Sequence, residues 1–271
     1  MQRHLNVNLK TLITCIVLLG VGIAWYSIYQ KMCIHSAIEM IETEGYFDEF
    51  NVIDYRVRKC KSFERCKKQY YNGLRMPSLY ERFQLTKLTN GVDEILKSKG
   101  FSVILDIPWK IVFFNPSSES GFPHTHGDII YLPYGYVDSK KNHTKRLDLM
   151  MTLLHEKIHV YQRTYPLHTM SLYVDYWQMD VSGVSSASDA RYGNERSNPD
   201  INRIRFKDHT NNQISCNYEA KAKTIVQIVD KRDHPHEMMA YSLTDYVFDK
   251  TSDPVLDEWS SNYLTHRVVS V

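Results

Sequence analysis

The segment that most restricts the fold of this 271-residue chain is an uncharged stretch near its amino terminus, TLITCIVLLGVGIAWYSIY, at residues 11–29. A helix needs about 20 mainly apolar residues to cross the hydrocarbon core of a bilayer. Trp25, Tyr26 and Tyr29 stand at one end of the stretch, where aromatic rings favour the membrane interface. The apolar run is longer than the core of a signal peptide, and the sequence IYQKMCIH that follows lacks a small-residue cleavage site. The stretch therefore predicts an uncleaved membrane anchor.

The positive charges on either side of this anchor predict its orientation. Arg3 and Lys10 precede the stretch, whereas Lys31 is the only lysine or arginine close behind it. Because lysine and arginine are retained on the cytoplasmic side, the short tail 1–10 is expected to stay there. The bulk of a single-pass chain would then lie on the exoplasmic or lumenal side of the membrane.

The cysteines and one sequon are compatible with that side of the membrane. Cys15 lies inside the apolar stretch, and four cysteines lie beyond it: Cys33, Cys60, Cys66 and Cys216. In an oxidising compartment this even number could form two disulfide bridges, whereas a cytoplasmic domain would carry four free thiols. The sequence CKSFERC lacks the CxxC spacing of a structural zinc site. Asn142 begins a glycosylation sequon.

Charge and composition indicate a globular protein that does not bind nucleic acid. The formal net charge is only +2, and charges of both signs are mixed along the chain. Hydrophobic residues make up 43% and charged residues 24% of the sequence, values that are ordinary for a folded domain with accessory segments. A nucleic-acid-binding domain would present a basic face or a recognisable motif, and neither is apparent.

Beyond the anchor, the sequence suggests a charged, helical connection at 30–77, a globular domain at 78–250 and a tail at 251–271. Three helices are predicted in the globular domain: 78–99 with an interruption near Asn90-Gly91, 145–163 ending before Pro166, and 235–249 with Pro235 in its first turn. Strands are predicted at 102–107, 109–115 and 128–137, and strand-like stretches at 203–208 and 214–230. This order indicates an α+β domain, and the tail shows no clear periodicity.

The long predicted helix contains the sequence LLHEKIHVYQR at 153–163, in which His155 and His159 are four residues apart. Both imidazoles then project from one helical face and can bind a single Zn²⁺. Glu156 can accept a proton from a zinc-bound water as that water attacks a carbonyl group. The alternative is an ordinary helix with two buried or solvated histidines. The preceding strands and an apolar stripe on the helix favour the metal site; the stripe comprises Leu147, Met151, Leu154 and Ile158.

A catalytic zinc usually has a third protein ligand and an open position for water. The metzincin pattern HExxHxxGxxH is excluded, because Gln162 and Tyr165 occupy its last two defined positions. His168 follows Pro166 and is interpreted as a loop residue. The remaining candidates are carboxylates: Glu195, Glu219, Glu237 and Glu258.

Among these carboxylates, Glu237 has the most informative position. It lies in the first turn of the predicted helix HPHEMMAYSLTDYVF and begins a polar stripe that continues with Tyr241 and Asp245. A glutamate on a helix opposite an HExxH helix is the gluzincin arrangement. The alternative is that an acidic residue simply favours the helix amino terminus for dipole reasons, and spacing alone leaves the choice open.

Four segments in order resemble the HExxH zinc metallopeptidases encoded by large DNA viruses and some microbes: FPHTHGDIIYL (122–132), LLHEKIHVYQR (153–163), RSNPDIN (196–202) and HPHEMMAY (234–241). The resemblance covers about residues 100–248. It implies a zincin-type, gluzincin-like fold with one zinc per chain, and it maps the third ligand onto Glu237. Many gluzincins have ExxxD, whereas this chain has Tyr241 at the last position of that pattern, so Tyr241 or Asp245 could orient a zinc-bound histidine.

Other residues near these motifs have alternative interpretations. His124 and His126 lie on one side of a predicted strand, where a second metal site is conceivable but a substrate-binding edge strand explains them as well. Asn198, Pro199 and Asp200 are interpreted as either a rigid turn or a substrate contact. Four side chains are chemically able to stabilise an oxyanion: Tyr218, His209, Arg205 and Tyr241.

Together these features predict a membrane-anchored zinc metallopeptidase that hydrolyses a peptide or protein substrate by zinc-activated water. One alternative is a non-catalytic membrane or virion-envelope protein whose zinc site is structural or lost and which binds a partner. Another is a zinc hydrolase whose substrate is not a peptide. The intact Glu156 favours the enzymes over the non-catalytic protein, because a structural site has no use for a carboxylate at an open coordination position.

Overall fold

A computed structural model describes residues 9–137, 143–186, 192–229 and 233–265, and within these ranges the protein has a mixed α/β fold. The helices are α1 Leu9–Glu44, α2 Val52–Val57, α3 Phe63–Asn72, α4 Leu79–Ser98, α5 Ser102–Leu105, α6 His143–Thr164, α7 Pro166–Ser171, α8 Pro235–Val247 and α9 Pro254–Tyr263. The strands are β1 Ile111–Phe114, β2 His124–His126, β3 Ile129–Pro133, β4 Asp180–Val184, β5 Ile204–Lys207 and β6 Gln213–Ile214.

Helix α1 contains the predicted anchor and is long and apolar enough to cross a membrane. Its 36 residues correspond to about 54 Å, which exceeds the hydrocarbon thickness of a bilayer by several turns. Large apolar side chains in its first half are exposed, as expected for a surface that faces lipid: Val17, Leu18, Leu19 and Trp25. Near its other end Ala37 and Ile41 are fully buried, so one helix joins the apolar segment to the folded domain.

Two small sheets flank the helices. Strand β3 is central in the first sheet, paired in parallel with β1 and antiparallel with β2, with Ile130 opposite Ile111 and Thr125. Strands β4, β5 and β6 form an antiparallel second sheet with β5 in the middle. The larger hydrophobic core lies around α6, which packs against α4 and α8 and buries Leu153, Leu154 and Ile158.

The segment 30–77 packs on the other face of the first sheet. Phe47, Phe50 and Tyr70 form a second core with Val112, Phe114 and Tyr131 of β1 and β3. Glu44 at the end of α1 accepts hydrogen bonds from His126 Nδ1 at 2.7 Å and from the backbone N–H of Gly127 at 2.7 Å. Most charged residues of this segment are exposed to solvent, but Asp54 and Arg58 are buried and form an ion pair at 2.6 Å.

Three expectations about secondary structure were wrong. Helix α4 runs without a break through Gly91, which lies against the end of the Met150 side chain on α6. Residues 102–105 form the short helix α5 rather than a strand. A short apolar run can bury its side chains either as a helix or as a strand, so the sequence pattern did not distinguish the two. Of the strand-like stretch 214–230, the structure describes residues 214–229, and among these only Ile214 belongs to one of the six strands, β6.

The predicted tail contains α9. Asp253 caps this helix by accepting hydrogen bonds from the backbone N–H groups of Val255 and Leu256, and Pro254 occupies its first position. Trp259 is fully buried and donates its indole N–H to the carbonyl of His168 at 3.2 Å. The Asp-Pro start was therefore a usable helix signal that the absence of clear periodicity obscured.

The cysteines form one disulfide in the described part of the chain. It joins Cys60 and Cys66, whereas Cys33 on α1 and Cys216 after β6 are free thiols. The expected second bridge is therefore not formed. The sequon at Asn142 lies outside the described residues.

Candidate metal centre

Helices α6 and α8 bring together His155, His159 and Glu237. One possible ligand atom from each residue lies within 4.8 Å of the other two, an arrangement that could hold a metal ion. The two imidazole Nε2 atoms are 3.1 Å apart, and Glu237 Oε2 lies 3.4 Å from His155 Nε2 and 3.6 Å from His159 Nε2. The helical spacing of four residues places the two histidines on one face, and the facing helix α8 contributes the carboxylate.

Local interactions at the start of α8 determine where Glu237 lies. Pro235 occupies the first helical position, and the His234 side chain caps the helix by accepting the His236 backbone N–H at 3.1 Å. On α6, Gln162 Nε2 donates to the His236 carbonyl at 2.8 Å. The first turn of α8 is therefore joined directly to the helix that carries both histidines.

Two further hydrogen bonds orient the possible ligands. Gln162 Oε1 accepts from His159 Nδ1 at 2.8 Å, which leaves His159 Nε2 directed at the other two ligand atoms. Asn198 Nδ2 donates to Glu237 Oε1 at 2.6 Å, so the other carboxylate oxygen, Oε2, faces the two histidines. Such outer contacts are typical of metal sites, and the residues present therefore fit a metal ion. Sequence analysis missed both roles, although Gln162 lies one turn after His159 and that spacing was a usable signal.

The charges of the centre favour a cation. Burial alone would raise the pKa of Glu237, but hydrogen bonds from His155 and His159 lower it well below its ordinary value. Burial would likewise lower the pKa of His159, yet the charges of Asp200 and Glu237 raise it. An ionised Glu237 carboxylate beside two imidazoles is thus favoured, and this negative charge would also favour a bound metal cation.

Glu156 lies next to this group, and one of its carboxylate oxygens forms no hydrogen bond with the described residues. The residue is 3% exposed, and its Oε2 is buried without a hydrogen-bond partner among the described residues. Burial, followed by the charges of Asp200 and Glu237, raises the pKa of Glu156 well above its ordinary value. A carboxylate with a raised pKa and a free oxygen is a suitable proton acceptor.

The group opens into a cleft of about 470 Å³. Apolar side chains on its walls include Phe122, Met151, Ile225 and Val226, and polar ones include Arg196, Asp233, Tyr241, Thr244 and Asp245. The Tyr241 ring lies 4.5 Å from the His155 ring, and Tyr241 is 58% exposed, so its hydroxyl is accessible to a ligand in the cleft. Asp245 is half-buried in the cleft wall. Most of the residues that line the cleft are polar or charged, and its volume falls in the range of ligand-binding pockets.

The two histidines of β2 have different surroundings. His124 lines the cleft, where its Nδ1 contacts the Phe122 carbonyl at 2.9 Å and its Nε2 contacts the Tyr70 hydroxyl. His126 is fully buried beside Glu44, and its Nε2 has no partner. Neither belongs to the possible metal group, and His126 lies apart from the cleft lining.

Three of the four oxyanion candidates do not line the cleft. The Tyr218 hydroxyl is buried between Arg58 and Asp54, His209 is exposed in the turn after β5, and Arg205 lies 3.7 Å from Glu195. Their sequence positions gave no indication of this, since all three lie on segments joined to the site only by long-range packing. Tyr241 is the candidate that the structure brings to the cleft.

The other possible third ligands are also elsewhere. Glu219 and Glu258 are exposed, Glu195 pairs with Arg205, and the His168 ring stacks on Tyr165. Asn198, Pro199 and Asp200 form a fixed turn in the cleft wall. Asp200 Oδ1 accepts from the Thr125 backbone N–H at 2.7 Å, and the Pro199 carbonyl accepts from Arg163.

Comparison of the chain with models of known protein families, with curated proteins and with solved structures gave no match. The resemblance to viral and microbial HExxH peptidases therefore stays a prediction, and the functional argument depends on the geometry of the site.

Proposed function

We propose that this protein is a membrane-anchored zinc peptidase with a gluzincin-like site. The observation that carries the proposal is the position of Glu237, on a separate helix, within 3.4 and 3.6 Å of the two HExxH histidines. Two imidazoles and one carboxylate are a donor set used by catalytic zinc, whereas magnesium and calcium prefer oxygen ligands throughout. The remaining coordination position would face the cleft.

Zinc bound there would polarise a substrate carbonyl and make a water molecule more acidic. Glu156 would accept the proton of the attacking water at Oε2, its unpartnered oxygen, and pass it to the leaving amide nitrogen. Tyr241, whose ring lies 4.5 Å from that of His155, would donate a hydrogen bond from its hydroxyl to the carbonyl oxygen as negative charge develops. The apolar walls would hold substrate side chains while the turn at Asn198 keeps Glu237 in position.

The non-catalytic alternative explains fewer of these features. A structural zinc site is normally closed by four protein ligands, whereas the described residues here supply three and border a cleft. A buried carboxylate oxygen without a partner is also costly unless it has a function. Both features favour a catalytic site.

Metal analysis and metal removal test the proposal together. We expect the full-length protein, purified in detergent, to contain about one zinc per chain and to cleave members of a random peptide library identified by mass spectrometry. A chelator should remove the zinc and the cleavage, and added zinc should restore both. Absence of bound metal, or cleavage that continues in metal-free protein, would exclude this function.

The domain beyond α1 is expected to lie on the exoplasmic or lumenal side. The lysine and arginine count around the anchor motivates this topology, and the Cys60–Cys66 disulfide agrees with an oxidising compartment. Protease added to intact microsomes should leave the domain undigested until detergent is present, and mass spectrometry should find the disulfide. Digestion without detergent, together with reduced cysteines, would reverse the assigned topology.

A further inference from the structure

Three buried polar side-chain atoms without hydrogen-bond partners belong to residues that line the cleft. They are Glu156 Oε2, Arg196 Nε and Thr244 Oγ1, out of five such atoms in the described part of the chain. A buried polar atom without a partner is destabilising, so a concentration of such atoms in one cleft points to a ligand that completes their hydrogen bonds. Proton transfer explains Glu156 but not the other two.

The backbone of Arg196 is fixed by a hydrogen bond, whereas its guanidinium forms no hydrogen bond with the described residues. Its N–H donates to the Cys216 carbonyl at 2.8 Å. The next residue, Ser197, is fixed by Asp54 Oδ2 at 2.8 Å and by Arg58, whose Nη2 donates to the Ser197 carbonyl at 3.0 Å. Among the described residues, the Arg196 side chain has no hydrogen bond and no ion pair.

Four of the acids near Arg196 have other partners. Asp54 and Glu119 pair with Arg58 at 2.6 and 2.8 Å, Glu195 lies 3.7 Å from Arg205, and Glu237 faces the two histidines. Asp233 lines the same cleft and interacts electrostatically with Arg196, but the two described side chains form no ion pair. Arg58, the other arginine of the cleft wall, uses its guanidinium for Asp54, Glu119 and Ser197. Arg196 is therefore the available cation in the described cleft.

We infer that Arg196 is an anion-binding residue that selects substrates with a carboxylate near the scissile bond. A guanidinium binds a carboxylate with two parallel hydrogen bonds, and such charge-assisted bonds are about twice as strong as neutral ones. Arg196 precedes Asn198, which contacts the ligand Glu237, so the anion would bind close to the metal centre. Thr244, seven residues after Glu237 on α8, offers a further hydroxyl about 10 Å along the helix.

The carboxylate has two possible sources, an acidic side chain or the free carboxyl terminus of a peptide. That the ligand is a peptide depends on the function proposed above, whereas the anion site itself does not. A binding experiment separates the two inferences. It uses three peptides of equal length: one with a glutamate and an amidated end, one with glutamine and a free end, and one with glutamine and an amidated end.

Calorimetric titration of these peptides into full-length, metal-loaded Glu156→Gln protein keeps them intact during the measurement. We expect one carboxylate peptide to bind about 10- to 100-fold more tightly than the neutral one, the range of a hydrogen bond to a charged group. Which carboxylate peptide binds identifies the source. Adding Arg196→Gln to this protein should remove the difference in affinity between the carboxylate and neutral peptides, and Arg196→Lys should retain part of it. Arg205→Gln, which changes a residue outside the cleft, should leave the difference unchanged.

Equal binding of all three peptides would overturn the inference. So would a preference that persists without Arg196, because the carboxylate would then bind another group such as the metal. If the preference depends on Arg196 but the wild-type protein cleaves no peptide, the anion site stands and the proposed peptidase function is wrong. Retained zinc and an unchanged circular dichroism spectrum check that each variant is folded.

Discussion

Replacing Glu156 by glutamine is expected to leave about one zinc per chain and to slow peptide cleavage by about 10²- to 10⁴-fold, the usual contribution of a general base. Glutamine has nearly the same shape as glutamate, so the buried position beside His155 should still be filled. The amide of glutamine, however, cannot accept the proton that Glu156 would accept at Oε2, the oxygen that has no hydrogen-bond partner among the described residues of the wild-type protein. Zinc analysis and cleavage rates on the same preparation provide the measurement.

Glu258→Gln is the matched control, because it makes the same chemical change at an exposed position on α9. Its cleavage rate should equal that of the wild-type protein. Undiminished cleavage by the Glu156→Gln protein would show that another group accepts the proton. Loss of zinc from that variant would instead assign Glu156 a structural role.

Glu237→Ala is expected to abolish cleavage and to weaken zinc binding together. Only two of the three converging side chains, His155 and His159, would remain, one fewer than the usual catalytic set. The loss of zinc affinity should exceed about 100-fold, since removing an outer partner of a ligand alone costs about 10- to 100-fold. Glu237→Asp should be intermediate, because it keeps the charge but shortens the reach by one methylene group. Competition with a chromogenic chelator measures the affinity.

Control variants use the other carboxylates. Glu219→Ala and Glu258→Ala change exposed side chains, and Glu195→Ala removes only the partner of Arg205. All three should keep about one zinc per chain. Full zinc content and full activity in Glu237→Ala would return the choice of ligand to these residues or to His168.

Helix α1 and the HExxH helix α6 are in direct contact. Arg163 on α6 lies 3.6 Å from Glu44 at the end of α1, and Glu44 also binds β2. The possible metal centre and the apolar segment are therefore parts of one packed structure rather than two bodies joined by a loose linker. If α1 spans a membrane, substrates would meet the cleft at a set height above the bilayer.

Features that depend on neighbouring residues could be read from the sequence. The apolar segment of α1 follows from an uninterrupted run of residues, and the shared face of His155 and His159 follows from helical periodicity. The start of α8 follows from Pro235, since proline suits the first turn of a helix. Each of these depends on side-chain chemistry or backbone geometry within a few residues.

Features that depend on residues far apart in the chain required the tertiary structure. Asn198 reaches Glu237, and Gln162 joins α6 to α8, only because long-range packing brings these segments together. The same packing separates Tyr218 and His209 from the cleft and leaves the Arg196 side chain in it without a hydrogen bond to any described residue. Spacing along the chain says which side chains share a helix face, but burial of the two cores decides which faces meet.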